Sequence, residues 1–277
     1  MIADSHMHTK VFSSDASQTP EELIRTAKKL GIHNVSVTEH YDLDYPREDE
    51  NFTFDVEEYA GIIPEWRRIS EELKGPSVHM GIELGWQSHL NDRLASVAAS
   101  APFDSILLSV HVMRGDDIYY NEDLKFLPRT ERNREYIGLM AKMCREYDDF
   151  DIAAHYDYIN RYIDDKESSV FYKDCPEEFD DFFGALISKD KSLEINTASI
   201  EKQKLKGAVN IMPDPEVIRR YLDMGGKLIT IGSDAHKPEA IGINFAETAL
   251  YLKSLGVKEI FYFERRKPVS DPEFKKI

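Results

Sequence analysis

Short apolar runs alternate along this chain with longer stretches in which apolar residues recur every three or four positions. The first pattern is typical of strands buried in a parallel sheet, and the second is typical of amphipathic helices. The apolar runs end at 6–8 or lie at 35–39, 78–82, 106–110, 152–154, 193–197 and 228–232, and the helical stretches lie near 20–30, 55–73, 90–99, 131–147, 176–189, 215–222 and 245–255. Seven strands alternating with helices predict an α/β fold with a closed or nearly closed parallel barrel.

Two helices have clear sequence signals at their ends. Residues 19–22, Thr-Pro-Glu-Glu, match a capping box with proline at the first helical position, and Gly31 follows the apolar stripe as a stop. Residues 214–216, Asp-Pro-Glu, repeat the start signal before a second helix. A last apolar run at 260–263 could add an eighth strand, and the pattern leaves this open.

Length and composition favour one soluble domain. The 277 residues suit a single barrel domain, 1–277, and the two cysteines, Cys144 and Cys175, form no CxxC pattern. We therefore expect reduced thiols in a reducing compartment. No basic and apolar leader precedes the first strand, and no apolar run approaches a membrane span, so we expect a cytoplasmic protein without a membrane partner. The sequence leaves the oligomeric state open.

Potential metal ligands follow the strands. Parallel barrels build their sites at the carboxyl ends of their strands, so side chains at these places should converge at one mouth. Eight such side chains lie at strand ends and a ninth in the loop after the first strand: His6, His8, His40, Glu83, His111, His155, Asp234 and His236, and in the loop Asp15. Six of the nine histidines of the chain are in this set, which random core histidines would not produce.

The types and spacing of these residues indicate a polynuclear metal centre. His6 and His8 are two apart on a strand, so both face one side and can hold one ion, and Asp234 and His236 share that spacing. A carboxylate such as Glu83 can bridge two ions. Mixed imidazole and carboxylate ligands suit Zn, Fe or Mn, and the absence of thiolates excludes the usual structural zinc sites. The reaction class this favours is metal-assisted hydrolysis.

The net charge of the chain limits the class of substrate. A formal net charge of −16 argues against nucleic acid as a partner, because phosphate backbones require a basic face. Divalent ions held by only three carboxylates, Asp15, Glu83 and Asp234, would nevertheless leave the site itself positive. An acidic exterior with a cationic pocket suits a small phosphate ester.

Taken together, these motifs resemble the polymerase-and-histidinol-phosphatase (PHP) superfamily nearly end to end. The matching segments are 4–8 (DSHMH), 14–15 (SD), 38–40 (TEH), 81–85 (GIELG), 109–111 (SVH) and 232–236 (GSDAH). Segments 193–198 (LEINTA) and 261–268 (FYFERRKP) are similar to the monofunctional histidinol-phosphate phosphatase branch. The resemblance implies a distorted (βα)7 barrel, TIM-like, with its metal site at the C-terminal mouth of the strands.

The resemblance also implies a ligand set for three divalent transition-metal ions. His6, His8, Glu83 and Asp234 would hold the first ion; Glu83, His111 and His155 the second; Asp15, His40 and His236 the third. Of these residues, we expect Glu83, Asp234 and His236 to be catalytic as well. We expect Asp4 and Glu39 to orient ligand histidines as hydrogen-bond acceptors. The long connections 41–58 and 156–179 should overhang the mouth.

The phosphate-binding residues depart from the branch at one position. Arg161 stands where the family also has an arginine suited to phosphate. Glu201 stands about where a second arginine is expected, and Lys202, Lys204 or Lys206 could replace it, although a lysine offers no bidentate fork. We select Arg161 and Lys202 as the phosphate-binding candidates.

The function predicted is a phosphomonoesterase, a phosphoric monoester hydrolase that acts on L-histidinol phosphate in histidine biosynthesis. One alternative is a PHP phosphoesterase for another small phosphate, such as a nucleotide or a sugar phosphate. Another is a non-catalytic metal-binding regulatory barrel, although all nine ligands are present. The sequence does not assign the native metal or the group that protonates the leaving oxygen.

Overall fold

Seven parallel strands form the central sheet of this protein, and helices surround it. The structure is a computed structural model and describes residues 1–47, 50–163 and 169–277. In these residues the strands are β1 Asp4–Met7, β2 Asn34–Tyr41, β3 Ser77–Gly85, β4 Ser105–Ser109, β5 Val112–Met113, β6 Asp116–Asp117, β7 Ile152–Ala153, β8 Ser192–Asn196, β9 Ile229–Gly232, β10 Phe261–Glu264 and β11 Lys267–Ser270. The helices are α1 Pro20–Leu30, α2 Val56–Leu73, α3 Asn91–Ala98, α4 Arg129–Glu146, α5 Pro176–Ser188, α6 Thr197–Leu205, α7 Pro215–Asp223, α8 Phe245–Ser254 and α9 Pro272–Lys276.

The sheet curls into a nearly closed barrel. Its strand order is β1-β2-β3-β4-β7-β8-β9, and all neighbours in this order run parallel. The first and last strands meet just past their carboxyl ends, where Asp234 N donates to His6 O (2.7 Å) and His8 N donates to Ala235 O (3.0 Å). The predicted (βα)7 barrel is therefore confirmed, and its edges are joined at the mouth.

The signals at the helix ends act as predicted. Thr19 caps α1 in a complete capping box with Glu22, and Gly31 ends that helix in the left-handed conformation at φ 72°. Asp214 accepts from the amide of Glu216 to cap α7. Cys144 and Cys175 are both buried free thiols, as expected. The helix α6 was missed, because it begins at Thr197, where the sequence suggested that a strand ends, and the short elements β5, β6, β11 and α9 were also not predicted.

The last apolar run does not join the barrel. It forms β10, which pairs antiparallel with β11 in a separate hairpin. Phe263 of this hairpin is buried against Leu107, Ile152 and Ala154. The backbone amides of the hairpin turn reach Asp104, just before β4. The hairpin therefore covers the amino-terminal end of the barrel, opposite the mouth.

The main apolar core lies in the layer between the sheet and the helices, and the small cluster of Leu107, Ile152, Ala154 and Phe263 is separate from it. Leucine, isoleucine, phenylalanine and tyrosine side chains of the strands and of α1 to α5, α7 and α8 form one large apolar cluster. Burial of this area supplies most of the folding free energy and holds the strand ends in place. Within the described residues, no helix combines the length and the apolar composition needed to cross a bilayer.

Candidate metal centre

Glu83 lies at the centre of a ring of imidazoles. It is buried near the carboxyl end of β3, where it pairs in register with His40 of β2. Its Oε2 lies 3.1 Å from His6 Nε2 and 2.9 Å from His40 Nδ1. Its Oε1 lies 2.8 Å from His155 Nε2 and 3.2 Å from His111 Nε2. Both oxygens of one carboxylate thus face imidazole nitrogens from four different strand ends, which is the position of a bridging ligand.

Asp234 forms a second centre beside the first. Its Oδ1 lies 3.2 Å from His8 Nε2 and 3.6 Å from both His6 Nε2 and His236 Nδ1. Asp234 has a positive φ of 51°, a conformation that is uncommon outside glycine and directs the side chain back over the mouth. His6 and His8 face the same side of the strand, as their spacing predicted, and both side chains are buried in the cluster.

Asp15 and His236 form the outer side of the cluster. Asp15 Oδ2 lies 3.1 Å from His236 Nε2 and 3.5 Å from His40 Nε2, and these two imidazole nitrogens are 3.2 Å apart. Asp15 is exposed, so this part of the cluster opens to solvent. All nine side chains singled out in the sequence therefore converge.

The donor set fits divalent transition metals. Four overlapping groups have their ligand atoms within 4.8 Å of one another: His6, His8 and Glu83; His6, His155 and Asp234; His40, Glu83 and His111; His8, His40 and His236. His8 Nε2 and His40 Nδ1 are buried and make no hydrogen bond within the described residues. Buried polar atoms are normally satisfied, and nitrogen atoms that face carboxylates without a hydrogen bond are a signature of metal ligation.

The charges in the cluster shift the pKa values of its carboxylates and imidazoles. Burial raises the pKa of Glu83, but His6, His40 and His111 outweigh it and hold that pKa well below its ordinary value. Burial lowers the pKa of His111, yet Asp42 and Glu83 raise it to about 10. Despite burial, the neighbouring carboxylates also raise the pKa values of His6, His40 and His236, whereas burial lowers the pKa values of His8 and His155.

Two carboxylates that orient ligand histidines were missed in the sequence. Glu194 Oε1 accepts from His6 Nδ1 at 2.8 Å, and Asp42 Oδ1 accepts from His111 Nδ1 at 2.8 Å. Each fixes the proton on Nδ1 and leaves Nε2 directed at Glu83. Strand alternation could have revealed Glu194, because it shares parity with Asn196 on a strand with an apolar opposite face.

The prediction for Asp4 and Glu39 was wrong. Asp4 accepts from the backbone amides of Ser233 (2.9 Å), Gly242 (3.3 Å) and His6 (3.4 Å), and within the described residues it contacts no imidazole. Glu39 accepts from Thr9 and Ser13, and only Ser13 Oγ lies near an imidazole, 3.4 Å from His8 Nδ1. Both carboxylates point to the loops after β1 and β9, so they anchor the backbone that carries the ligands.

Arg161 lies directly beside the cluster. Its Nη1 donates to Asp234 Oδ2 (2.6 Å) and its Nε donates to Ser199 Oγ (2.9 Å). Its Nη2 is buried and makes no hydrogen bond within the described residues. The guanidinium also lies 4.9 Å above the centre of the Tyr158 ring. A cation with a free donor directed into a metal-ligand cluster suits an anionic ligand.

Of the three lysines that could replace the second arginine, Lys202 is the one near Arg161 in a shared cavity. Its Nζ lies 5.6 Å from the centre of the Tyr162 ring. Lys204 instead contacts Asn244 (2.5 Å) and Glu247, and Lys206 donates to the carbonyls of Asn160 (2.9 Å) and Ile163 (2.5 Å). Glu201 accepts from Asn244 and belongs to the same outer wall.

Two cavities flank the cluster. One of about 540 Å³ is lined by tyrosines and by the carboxylates of Asp42, Glu50 and Asp117. The other, of about 610 Å³, is lined by Arg161 and Lys202. Tyr45, Glu50, Phe52, Tyr158 and Tyr162 of the two long connections line the first cavity, so both connections do overhang the mouth. Residues 48–49 and 164–168 of these connections lie outside the described residues.

Known proteins are similar to this chain in sequence. A family model described as PHP domain matches residues 4–198. The chain is 30% identical over 266 residues to a "Probable histidinol-phosphatase" of Clostridium acetobutylicum, covering 96% of this chain and 98% of that relative. It is 26% identical to a "Histidinol-phosphatase" of Lactococcus lactis, covering 95% of each.

A solved structure shares the fold. The histidinol phosphate phosphatase of Lactococcus lactis, complexed with zinc, L-histidinol and phosphate, superposes with a TM-score of 0.85 at 24% identity. The match covers 97% of this chain and 98% of that one. With the family match and the relatives of full length, these findings show that the chain belongs to the PHP family, in its histidinol-phosphatase branch.

Proposed function

We propose that this protein is a metal-dependent phosphomonoesterase that hydrolyses L-histidinol phosphate to L-histidinol and phosphate. The observation that carries the proposal is the buried Glu83, ringed by four imidazoles and flanked by two cavities. One contains Arg161 and Lys202 beside several carboxylates, and the other is acidic and aromatic. A phosphate ester of an amino alcohol has matching parts: an anion for the metals and Arg161, and a cation for the acidic wall. Relatives named histidinol-phosphatase along nearly the whole chain support the same substrate.

The proposal includes three divalent ions in the ligand sets that the resemblance implies. Glu83 would serve two of them as the bridge, and its short distances to imidazoles of both sets support this role. Asp234 and His236 would be catalytic as well as metal-binding, since both belong to the ligand cluster and also line the cavity that contains Arg161. When bound, such ions acidify water and neutralise phosphoryl charge. Zn, Fe and Mn all suit the nitrogen and oxygen donors.

The phosphoryl oxygens would be held by Arg161. Its Nη2 makes no hydrogen bond to the described residues, and its Nε and Nη1 are fixed by Ser199 and Asp234, so the guanidinium is oriented before substrate arrives. Lys202 would add a second positive charge from the same cavity. A preorganised cation costs little reorganisation when charge develops on the phosphoryl group.

The amino and imidazole groups of the substrate would lie in the acidic, aromatic cavity. Asp117 and Glu50 supply negative charge there, and tyrosines supply flat apolar surfaces for an imidazole. The net charge of −16 makes nucleic acid an unsuitable substrate, so we infer a small phosphomonoester. A cytoplasmic location stays a prediction of the sequence.

The test is phosphate release by chelator-treated protein reloaded with Zn, Mn or Fe. Histidinol phosphate is compared with ethanolamine phosphate, glycerol phosphate, a nucleoside monophosphate and a sugar phosphate. We expect kcat/KM to be highest for histidinol phosphate and ethanolamine phosphate to exceed glycerol phosphate. Elemental analysis should find more than one metal equivalent, rising to about three at saturation. A higher kcat/KM for a nucleotide or sugar would replace the substrate, and hydrolysis of none with any metal would favour a non-catalytic barrel.

A further inference from the structure

Glu194 is a buried carboxylate to which the proposed reaction gives no role. It lies on β8 with its side chain in the barrel interior, 1% exposed. Its Oε1 accepts from His6 Nδ1 (2.8 Å), and its Oε2 accepts from the backbone amide of His155 (2.7 Å). These two histidines belong to two different sites of the proposed metal centre. We propose that Glu194 is a positioning residue that prepares both of these sites together.

At His6, the contact with Glu194 selects the tautomer. A carboxylate beside Nδ1 requires a proton on Nδ1, which leaves Nε2 free to face Glu83 Oε2 (3.1 Å) and Asp234 Oδ1 (3.6 Å). The contact needs glycine at position 232, because a β-carbon there would overlap both Glu194 Oε1 and the β-carbon of His6. Gly232 on β9 is therefore part of the arrangement.

At His155, the contact with Glu194 holds the backbone. The φ angle of His155 is 22°, a conformation that residues other than glycine rarely adopt and that costs free energy. Its amide donates to Glu194, and its ring Nε2 then lies 2.8 Å from Glu83. The hydrogen bond to a buried carboxylate stabilises a backbone turn that would otherwise relax and move the ring.

Asn196 connects Glu194 to the ligand carboxylate of Asp234. Its Nδ2 lies 3.3 Å from Glu194 Oε2 and 3.4 Å from Asp234 Oδ2. The two oxygens of Glu194 therefore accept from donors on different strands at the same time. A glutamine has one acceptor oxygen and one donor nitrogen, so it cannot accept from both His6 and His155. Replacement by this isosteric residue breaks one accepting contact, removes the negative charge from the other, and creates no cavity, so both sites are affected.

Asp42 offers a matched control, because its carboxylate accepts from one ligand histidine alone, His111 at 2.8 Å. Asp42→Asn should weaken a single metal site, whereas Glu194→Gln should weaken two. Loss of a carboxylate that orients a ligand typically lowers metal affinity about 10–100-fold. The inference rests on the proposed metal centre, so wild-type protein is measured in the same series.

The experiment is a zinc titration of chelator-treated wild type, Glu194→Gln and Asp42→Asn by calorimetry, with the melting temperature of each metal-free form recorded. We expect two weakened sites in Glu194→Gln, one in Asp42→Asn, and melting temperatures of metal-free protein that do not explain the difference. Wild type that binds no zinc would overturn the proposed function. Wild type that binds zinc, beside a Glu194→Gln variant of equal affinity at every site, would overturn the role of Glu194 alone.

A second variant guards against failure to fold. Glu194→Asp keeps both acceptor oxygens but shortens their reach, so it should weaken the same two sites. Retention of wild-type zinc affinity by Glu194→Asp, or weakening of just one site, would contradict the shared positioning role.

Discussion

At the amino-terminal end of the barrel, Asp104 is paired with Arg67 (2.9 Å) and accepts from the amide of Met80 (2.9 Å). Asp151 is paired with Arg266 in the same way and also accepts from the amide of Ile106 (2.8 Å). At the mouth, the carboxylates of Glu83 and Asp234 lie mainly among imidazoles. Both ends bury acids, but Asp104 and Asp151 at the first end each have an arginine and a backbone amide. At the mouth Glu83 faces imidazoles, and Asp234 faces imidazoles and Arg161.

The histidines differ in the same way. His79 at the amino-terminal end lies 3.2 Å from Asn34 Oδ1, and burial lowers its pKa, so it is neutral near pH 7. His111 at the mouth has its pKa raised to about 10 against the effect of burial, because Asp42 and Glu83 lie beside it. Buried groups that are fully paired stabilise a fold, whereas a buried carboxylate that faces several imidazoles marks a candidate reaction site.

The largest expected effect is that of Glu83→Gln. The variant removes the charge that faces four imidazoles, so metal content should fall and kcat/KM should drop by about 10³-fold or more, consistent with the roughly 3–5 kcal/mol for a broken buried pair. Circular dichroism should show an intact fold. Asp104→Asn at the other end is the control, with a lower melting temperature and unchanged kcat/KM. Wild-type turnover by Glu83→Gln would contradict the bridging role.

Arg161→Ala comes next. Loss of the charge-assisted contact to phosphate should reduce transition-state stabilisation by roughly 2–4 kcal/mol, measured as kcat/KM on histidinol phosphate. Arg161→Lys should recover part of this loss, because a point charge replaces a fork. Arg266→Ala, at the other end of the barrel, should lower the melting temperature without lowering kcat/KM. If Arg161→Ala leaves the ratio unchanged for every ester hydrolysed, phosphate is bound without this residue.

A smaller effect on kcat/KM should distinguish Lys202 from Lys204 and Lys206. Lys202→Ala should lower kcat/KM by about tenfold, the equivalent of about 1.4 kcal/mol for a more exposed cation. Lys204→Ala and Lys206→Ala serve as comparisons, since their ammonium groups are engaged with Asn244 and with loop carbonyls. A larger loss for Lys204→Ala than for Lys202→Ala would show that the wrong lysine has been assigned to the cavity.

The pH dependence should be the mildest of these effects. His111 has a raised pKa in the folded, metal-free protein, so its stabilising contribution is full below its unfolded pKa of about 6.5 and is lost as pH rises towards 10. The melting temperature of metal-free protein should therefore fall between pH 7 and pH 9 on account of this group. Saturating zinc should reduce that slope and release about one proton or more per chain on binding.

Calorimetry in buffers with different ionisation enthalpies measures the released protons. His79→Gln is the control for the other end of the barrel, because His79 is neutral over this range and the slope should not change. The melting temperature of the metal-free protein is compared between wild type and His111→Gln. A rise from pH 7 to pH 9 by the same amount in both would contradict the attribution of the pH dependence to His111.

The positions of the ligands could be predicted from the sequence because parallel strands end at one face. His40, Glu83 and His111 follow three consecutive strands, so strand order alone brings them to one mouth. Strand alternation places Glu194 on the interior face, but the histidine partners of Glu194 and Asp42 could not be predicted, because these contacts join residues 188 and 69 positions apart in the chain. Asp4 and Glu39 were misassigned for the same reason, since adjacency to a ligand in sequence does not give the direction of a side chain.

The pattern of apolar and polar positions by itself determined the barrel strands, seven of the helices and the eight strand-end side chains that meet at the mouth, because apolar runs mark the buried strands and their ends. Only the tertiary structure decided that residues 261–270 cover the opposite end as a hairpin, that Lys202 is the lysine beside Arg161, and that Glu194 touches two ligands. These three features depend on the direction of side chains and on the path of loops, and no periodic sequence pattern predicts either. Distances across the barrel arise when the whole core packs.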